Sequence, residues 1–221
     1  MKKIYYLFIF IIITCSITFV NAKNNTSNLS LIGKVIYIDA GHGGLDPGST
    51  YGKIYEKDIN LSICKKLQKV LEEEGAIVYM TRYDDYDLSI NNTNGRKKRD
   101  LNNRVKIIND SNADMYISIH LNSISSSKWS GAQVFYDDVN NNNYSLALII
   151  QNRLKKDLKT NRKVKEIKNM LMNRKITIPG VLVEAGFLSN SNDRYLLKQS
   201  DYQYKIASSI RDGIIEYFNG N

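Results

Sequence analysis

The sequence predicts an α/β domain, a single twisted and mostly parallel sheet with helices on both faces. Three observations predict it. Short β-branched runs alternate with amphipathic helical patterns along the chain. The balance of 43% hydrophobic and 24% charged residues suits a globular domain with a sizeable core. No internal repeat or second compositional zone divides the 221 residues, so one domain is expected over 33–221.

The elements follow in order. Val35, Ile36, Tyr37 and Ile38 form a first strand that ends at Asp39 and a glycine-rich loop. A helix is predicted from about Asp58, which is placed as its N-cap. Ile59, Ile63, Leu67, Val70 and Leu71 make its apolar face, and Gly75 stops it. Residues 77–81 form a second strand, and a polar loop over 84–98 leads to a helix at 101–109 with Val105 and Ile108 inward. Strands are predicted at 115–120 and 132–136, then a helix over 144–158 that buries Leu146, Ile149, Ile150 and Leu154. A buried strand at 181–185 and a closing helix at 204–218 complete the pattern.

The first 22 residues stand apart. Lys2 and Lys3 precede an uncharged apolar run over 4–20, and Val20, Asn21 and Ala22 offer small residues where a signal peptidase cuts. The alternative is an uncleaved anchor, since about 17 apolar residues just suffice for a bilayer. Cys15 raises lipid attachment, but Thr14 is not the small residue wanted before a lipidated cysteine. Residues 23–32 read as a polar linker. The domain is therefore expected outside the cytoplasmic membrane, touching it only through the N-terminal segment.

The formal charge is +9, two units of it from Lys2 and Lys3. A basic exported protein meets anionic lipid or wall polymer, and export argues against nucleic acid. Cys64 alone remains after the export segment, so no intramolecular disulfide forms, and its helical position marks it as a small core residue. The stretch 153–175 carries ten basic residues, read as a solvated face or as a surface that steers acidic wall material.

The chemistry rests on few residues. His42 and His120, the only two histidines, both fall at the carboxyl ends of predicted strands, where open α/β sheets bind ligands. His42 sits in a glycine-rich loop that lacks the lysine ending of a phosphate loop and the spacing of a dinucleotide fingerprint. Glu56 precedes the first helix, where an acid also complements the helix dipole. Glu184 interrupts a run that otherwise reads as buried strand, and a buried carboxylate needs a cation, a proton or an exposed strand end. A salt bridge to a buried arginine would satisfy it equally. Two imidazoles, one carboxylate and an open water position make a catalytic zinc site, and a second carboxylate can act as general base. Spacing alone does not identify the metal.

The motifs carry more. Residues 36–44 (Ile-Tyr-Ile-Asp-Ala-Gly-His-Gly-Gly), 55–61, 116–123 (Tyr-Ile-Ser-Ile-His-Leu-Asn-Ser) and 181–190 together resemble the zinc-dependent N-acetylmuramoyl-L-alanine amidases of the type 3 family, over 34–218. Ala40 and Leu121 stand where proline and alanine are frequent in that family, away from the expected chemistry. The resemblance implies one zinc ion held by His42, Glu56 and His120, with Glu184 as the catalytic carboxylate. It implies hydrolysis of the bond between muramic acid and L-alanine in peptidoglycan. The compact form, without appended wall-binding repeats, is similar to spore-cortex amidases that prepare muramic-δ-lactam, and it suggests an activating or targeting protein partner. Two rival readings are a non-catalytic wall-binding protein of the same fold and a zinc peptidase of the stem peptide. The intact set of four polar residues argues against the first, and product analysis separates the second.

Overall fold

The computed structural model describes residues 29–89, 94–168 and 170–220. The export segment expected over 1–22 and most of the linker over 23–32 lie outside them. The domain begins at Leu31, which is fully buried and donates its backbone N–H to Glu74 O at 2.9 Å. No helix among the described residues is long and apolar enough to cross a membrane.

Six strands form one sheet: β1 (Val35–Ala40), β4 (Ile77–Met80), β5 (Met115–Asn122), β6 (Gln133–Tyr136), β7 (Lys165–Glu166) and β8 (Gly180–Phe187), in the order β4-β1-β5-β8-β6-β7. All neighbours are parallel except β6 and β8. β5 and β8 at the centre are almost wholly buried, as strands covered on both faces must be. A two-stranded hairpin of β2 (Thr50–Tyr51) and β3 (Ile54–Tyr55) precedes helix α1 (Glu56–Glu72).

Helices α1, α3 (Asn143–Leu158) and α5 (Ser200–Asn219) bury their apolar stripes against one face, with Ile63, Leu67, Leu146, Ile150, Ile206 and Ile210 meeting Ile36, Ile38, Ile117, Ile119, Val181 and Val183. Helix α2 (Arg96–Asn109) covers the other face, where Val105 and Ile108 pack with Tyr37 and Tyr116. A short α4 (Ser191–Leu197) links β8 to α5, capped by the Asn190 side chain, which accepts from the backbone N–H groups of Asn192 and Asp193. Cys64 is buried in the main core, as its position in the sequence suggested.

Three boundaries differ from expectation. Helix α1 begins at Glu56 rather than near Asp58; Tyr55 occupies the cap position without a side-chain bond, and the backbone oxygens of Ser49 and Pro47 accept from the N–H groups of Glu56 and Lys57. Helix α2 starts a turn earlier, at Arg96, and α5 starts at Ser200. The strands β2, β3 and β7, each two residues long, are too short to carry a period of two.

Candidate metal centre

The carboxyl ends of β1, β5 and β8 and the first turn of α1 meet at one cleft of about 610 Å³. His42 follows β1, His120 lies on β5, Glu184 lies on β8, and Glu56 opens α1. All four residues singled out in the sequence line this cleft.

Glu56 is the pivot. Its Oε1 stands 3.2 Å from His42 Nε2 and 3.2 Å from His120 Nδ1. With metal–ligand bonds of 2.0–2.1 Å, tetrahedral ligand atoms lie roughly 3.3 Å apart, and the Glu56 oxygen keeps that separation from a nitrogen of each histidine. Each offers one ligand atom, all within 4.8 Å of one another. The set is two nitrogens and one oxygen, which suits zinc and leaves a fourth position free. The residues present fit the metal.

Local structure holds these groups in place. The rings of His42 and His120 meet edge to face, with centroids 5.0 Å apart. The His120 ring packs directly on Gly41, where an added Cβ would come within 2.3 Å of His120 Cε1. The loop returns over the site at Gly48, whose φ of +66° and contact with the Glu56 carboxylate both require glycine. The register of β5 on β8 shifts between His120 and Asn122, and there Leu121 N–H donates to Glu56 Oε1 at 3.0 Å. Ser49 N–H donates to Glu56 Oε2 at 2.8 Å. Glu56 is therefore fixed by backbone donors from both sides.

His42 itself has φ +63°, a left-handed conformation that costs a side-chain-bearing residue about 1–2 kcal/mol. Two buried arginines stabilise this turn. Arg104 NH1 donates to Ala40 O at 2.7 Å and its NH2 to His42 O at 2.6 Å. Arg82 donates to Ala40 O, to Gly41 O and to Lys57 O, tying the loop to the start of α1. Arg104 in turn pairs with the fully buried Asp39, which also accepts from Ser118 and Thr81. The Asp39 carboxyl is held below its ordinary range: burial opposes ionisation, and Arg104, His120 and Ser118 more than offset it. Sequence reading missed both arginines. One signal was visible, since Leu101, Arg104, Val105 and Ile108 fall on one stripe of α2.

Protonation states follow from these contacts. Burial disfavours charge on His42, but hydrogen bonds to Asp46 and Glu56 prevail and raise its pKa to about 9. Asp46 Oδ2 lies 2.9 Å from His42 Nδ1, which orients the ring so that Nε2 faces Glu56. Glu56 is held well below the carboxylate range; desolvation is overcome by the two histidines.

Glu184 behaves in the opposite way. It is the register partner of His120, so both side chains emerge on the same side of the sheet. Its Oε2 is buried with no hydrogen-bond partner among the described residues. Burial pushes its pKa up to about 7, and the nearby Glu56 charge adds to the rise against the pull of the two histidines. The alternative of a salt bridge to arginine is not what the structure places there; the buried guanidiniums of Arg82 and Arg104 serve the backbone of the loop and Asp39 instead. One carboxylate kept ionised and another poised near neutrality is the pairing that divides ligand from acid–base work.

Comparison with known proteins agrees with this architecture. The family model described as N-acetylmuramoyl-L-alanine amidase matches residues 36–216. The chain is 48% identical over 204 residues to the germination-specific N-acetylmuramoyl-L-alanine amidase of Bacillus subtilis, covering 89% of this chain and 86% of that protein. Among solved structures, it is similar to the CwlD amidase of Clostridioides difficile in complex with the GerS lipoprotein, with a TM-score of 0.81, 41% identity, and coverage of 86% of this chain and 100% of that one. The catalytic domain of CwlV from Bacillus (Paenibacillus) polymyxa gives a TM-score of 0.74 at 31% identity, with coverage of 85% and 99%.

Proposed function

We propose, for a chain that belongs to the N-acetylmuramoyl-L-alanine amidase family, that His42, Glu56 and His120 hold one zinc ion and that Glu184 is the catalytic carboxylate. The enzyme hydrolyses the amide between N-acetylmuramic acid and L-alanine in peptidoglycan. The observation that carries the site assignment is the placement of Glu56 Oε1 3.2 Å from a nitrogen of each histidine ring.

Bound zinc would supply a Lewis acid for the carbonyl and an activated water at neutral pH. The chain's own residues do the rest. Asp46 fixes the His42 ring through Nδ1, and the backbone donors of Ser49 and Leu121 fix Glu56. Glu184, raised towards neutrality by burial, accepts the proton of the attacking water and returns it to the alanine nitrogen as the C–N bond breaks. Its walls of Leu101, Leu121, Leu171 and Leu182 limit water around the carboxylate.

The kinship with a germination-specific amidase supports action on spore cortex, and muramic-δ-lactam formation is the proposed use of that cut. The related CwlD amidase was solved with the GerS lipoprotein, which supports a protein partner for this chain as well. Action outside the cytoplasmic membrane follows from the substrate, and the apolar segment over 4–20 supplies the export signal or anchor.

Calorimetric zinc titration of the purified protein tests the ligand set. One zinc per chain is expected for the wild type, with His42→Ala, Glu56→Ala and His120→Ala each binding at least tenfold more weakly. Undiminished affinity in any of the three removes that residue from the set.

A further inference from the structure

The only tryptophan of the chain is half exposed and does not line the metal cleft. Trp129 is 52% accessible. It lines a separate recess of about 420 Å³ between the loop that follows β5, the end of α3 and the start of α4. A single exposed aromatic ring is ordinary on a protein surface; what sets this one apart is how firmly it is held and what borders it.

The ring is rigidly supported. The Arg162 guanidinium lies 5.0 Å from the Trp129 ring and 5.2 Å from the Phe187 ring, stacked on both. Arg162 Nε and NH2 both donate to Gln133 Oε1, at 3.1 and 2.6 Å. The loop is pinned on either side of the tryptophan: Asn190 Nδ2 donates to Ser127 O at 2.7 Å, and Gly131 N–H donates to Asp193 Oδ2 at 2.8 Å. The platform is thus preorganised, so little conformational entropy is lost when a flat ligand settles on it.

Around the ring stand Lys128, Lys159, Asn161 and Asn192. Their side chains make no hydrogen bond or ion pair among the described residues, so their donors are available. An aromatic face bordered by amide and ammonium donors matches an amino-sugar glycan. The C–H face of a pyranose covers the ring, while the donors meet hydroxyl, acetamido and carboxylate oxygens. A chain of lining residues links the recess to the metal cleft. Ser123 lines the cleft and a polar recess next to it. Ser127 and Ser191 line that polar recess, and their sequence neighbours Lys128 and Asn192 line the tryptophan recess.

We propose that the recess framed by Trp129 and Arg162 is a glycan-binding site, outside the metal centre, that holds the β-linked amino-sugar backbone of the substrate strand. The choice of ligand rests on the peptidoglycan reading, but binding there needs neither zinc nor Glu184. The site therefore acts on long strands and is irrelevant to small substrates.

With one tryptophan in the chain, its fluorescence reports the site directly. The probe is a β-1,4-linked N-acetylglucosamine hexamer, titrated into zinc-free wild-type protein. A saturable change in emission is expected. In calorimetry, Trp129→Ala should weaken binding by about tenfold or more, the loss of one stacking surface. Trp129→Phe, which retains a smaller platform, should fall between. Both variants should hydrolyse a soluble muramyl peptide at the wild-type rate while showing a raised KM on long strands. No emission change into the millimolar range overturns the proposal, as does hexamer binding by Trp129→Ala equal to that of the wild type. Displacement of the hexamer by polyphosphate from the wild type, with Trp129→Ala binding polyphosphate unchanged, would identify a basic patch for anions and also overturn it. Failure of hydrolysis with hexamer binding intact would count against the catalytic assignment alone.

Discussion

Arg104 NH2 donates to the carbonyl oxygen of His42 at 2.6 Å, so a buried cation on the helix of one sheet face fixes the backbone of a proposed metal ligand at the end of β1. The same guanidinium pairs with the fully buried Asp39 on β1. On the proposed ligand set, stability and metal affinity are coupled through one side chain. Arg104→Met leaves Asp39 without its partner and should cost about 3–5 kcal/mol in denaturant unfolding of the zinc-free protein. Zinc affinity should fall with it, because the left-handed turn at His42 loses its donor. Unchanged zinc affinity in a destabilised Arg104→Met protein would confine the residue to a structural role.

Glu184→Gln removes the proposed proton acceptor while keeping the size of the side chain. Turnover should fall by about 10²–10⁴-fold with one zinc still bound. Activity assays paired with metal analysis separate the two effects. Parallel loss of zinc and turnover would make Glu184 a ligand.

Gly41→Ala tests the steric basis of the centre. The new Cβ would lie 2.3 Å from His120 Cε1, so the ring must leave its place over the loop. Zinc titration should show at least a tenfold loss of affinity, close to that of His120→Ala. Wild-type affinity in Gly41→Ala would show that the ring has room to move without leaving the site.

The pH dependence of metal uptake has a definite sign. In the zinc-free protein the His42 pKa is raised from 6.5 to about 9 by Asp46 and Glu56 against the effect of burial. Its contribution to the stability of the zinc-free fold is present in full below about pH 6.5 and is lost as pH rises through about 9. Zinc requires the neutral ring, so a proton is displaced on binding. Apparent zinc affinity should climb between pH 6.5 and 9, and Asp46→Asn should shift that climb to lower pH. Calorimetry in buffers of different ionisation enthalpy would count the released proton.

Three of the four central polar residues stood out in the sequence by their place in a local pattern. His42 follows a predicted strand and His120 sits on the end of one, and Glu184 interrupts an apolar run. Glu56 was legible by motif, but its place in the helix was not. Asp58 resembles a cap, whereas the hairpin bond from Glu56 N to Ser49 O starts the helix two residues earlier. The two-residue strands left no periodic trace, and α4 was missed although Asn190 with Asp193 three residues on is a legible N-cap. Arg82 and Arg104 were overlooked for another reason. Their partners are backbone carbonyls of a loop distant in sequence, and nothing in local pattern reports where a loop returns. Within the basic stretch 153–175 the three arginines find particular partners, Arg153 with Glu216, Arg174 with Asp138, and Arg162 with Gln133 and Trp129.

The most direct test of the catalytic centre is mass spectrometry of peptidoglycan and cortex fragments after incubation with the protein, in the presence of zinc and after its removal by chelation. The account predicts zinc-dependent release of whole stem peptides that begin with free L-alanine, and none from Glu184→Gln. Release that survives complete zinc removal, or peptides cut within the stem, would contradict it.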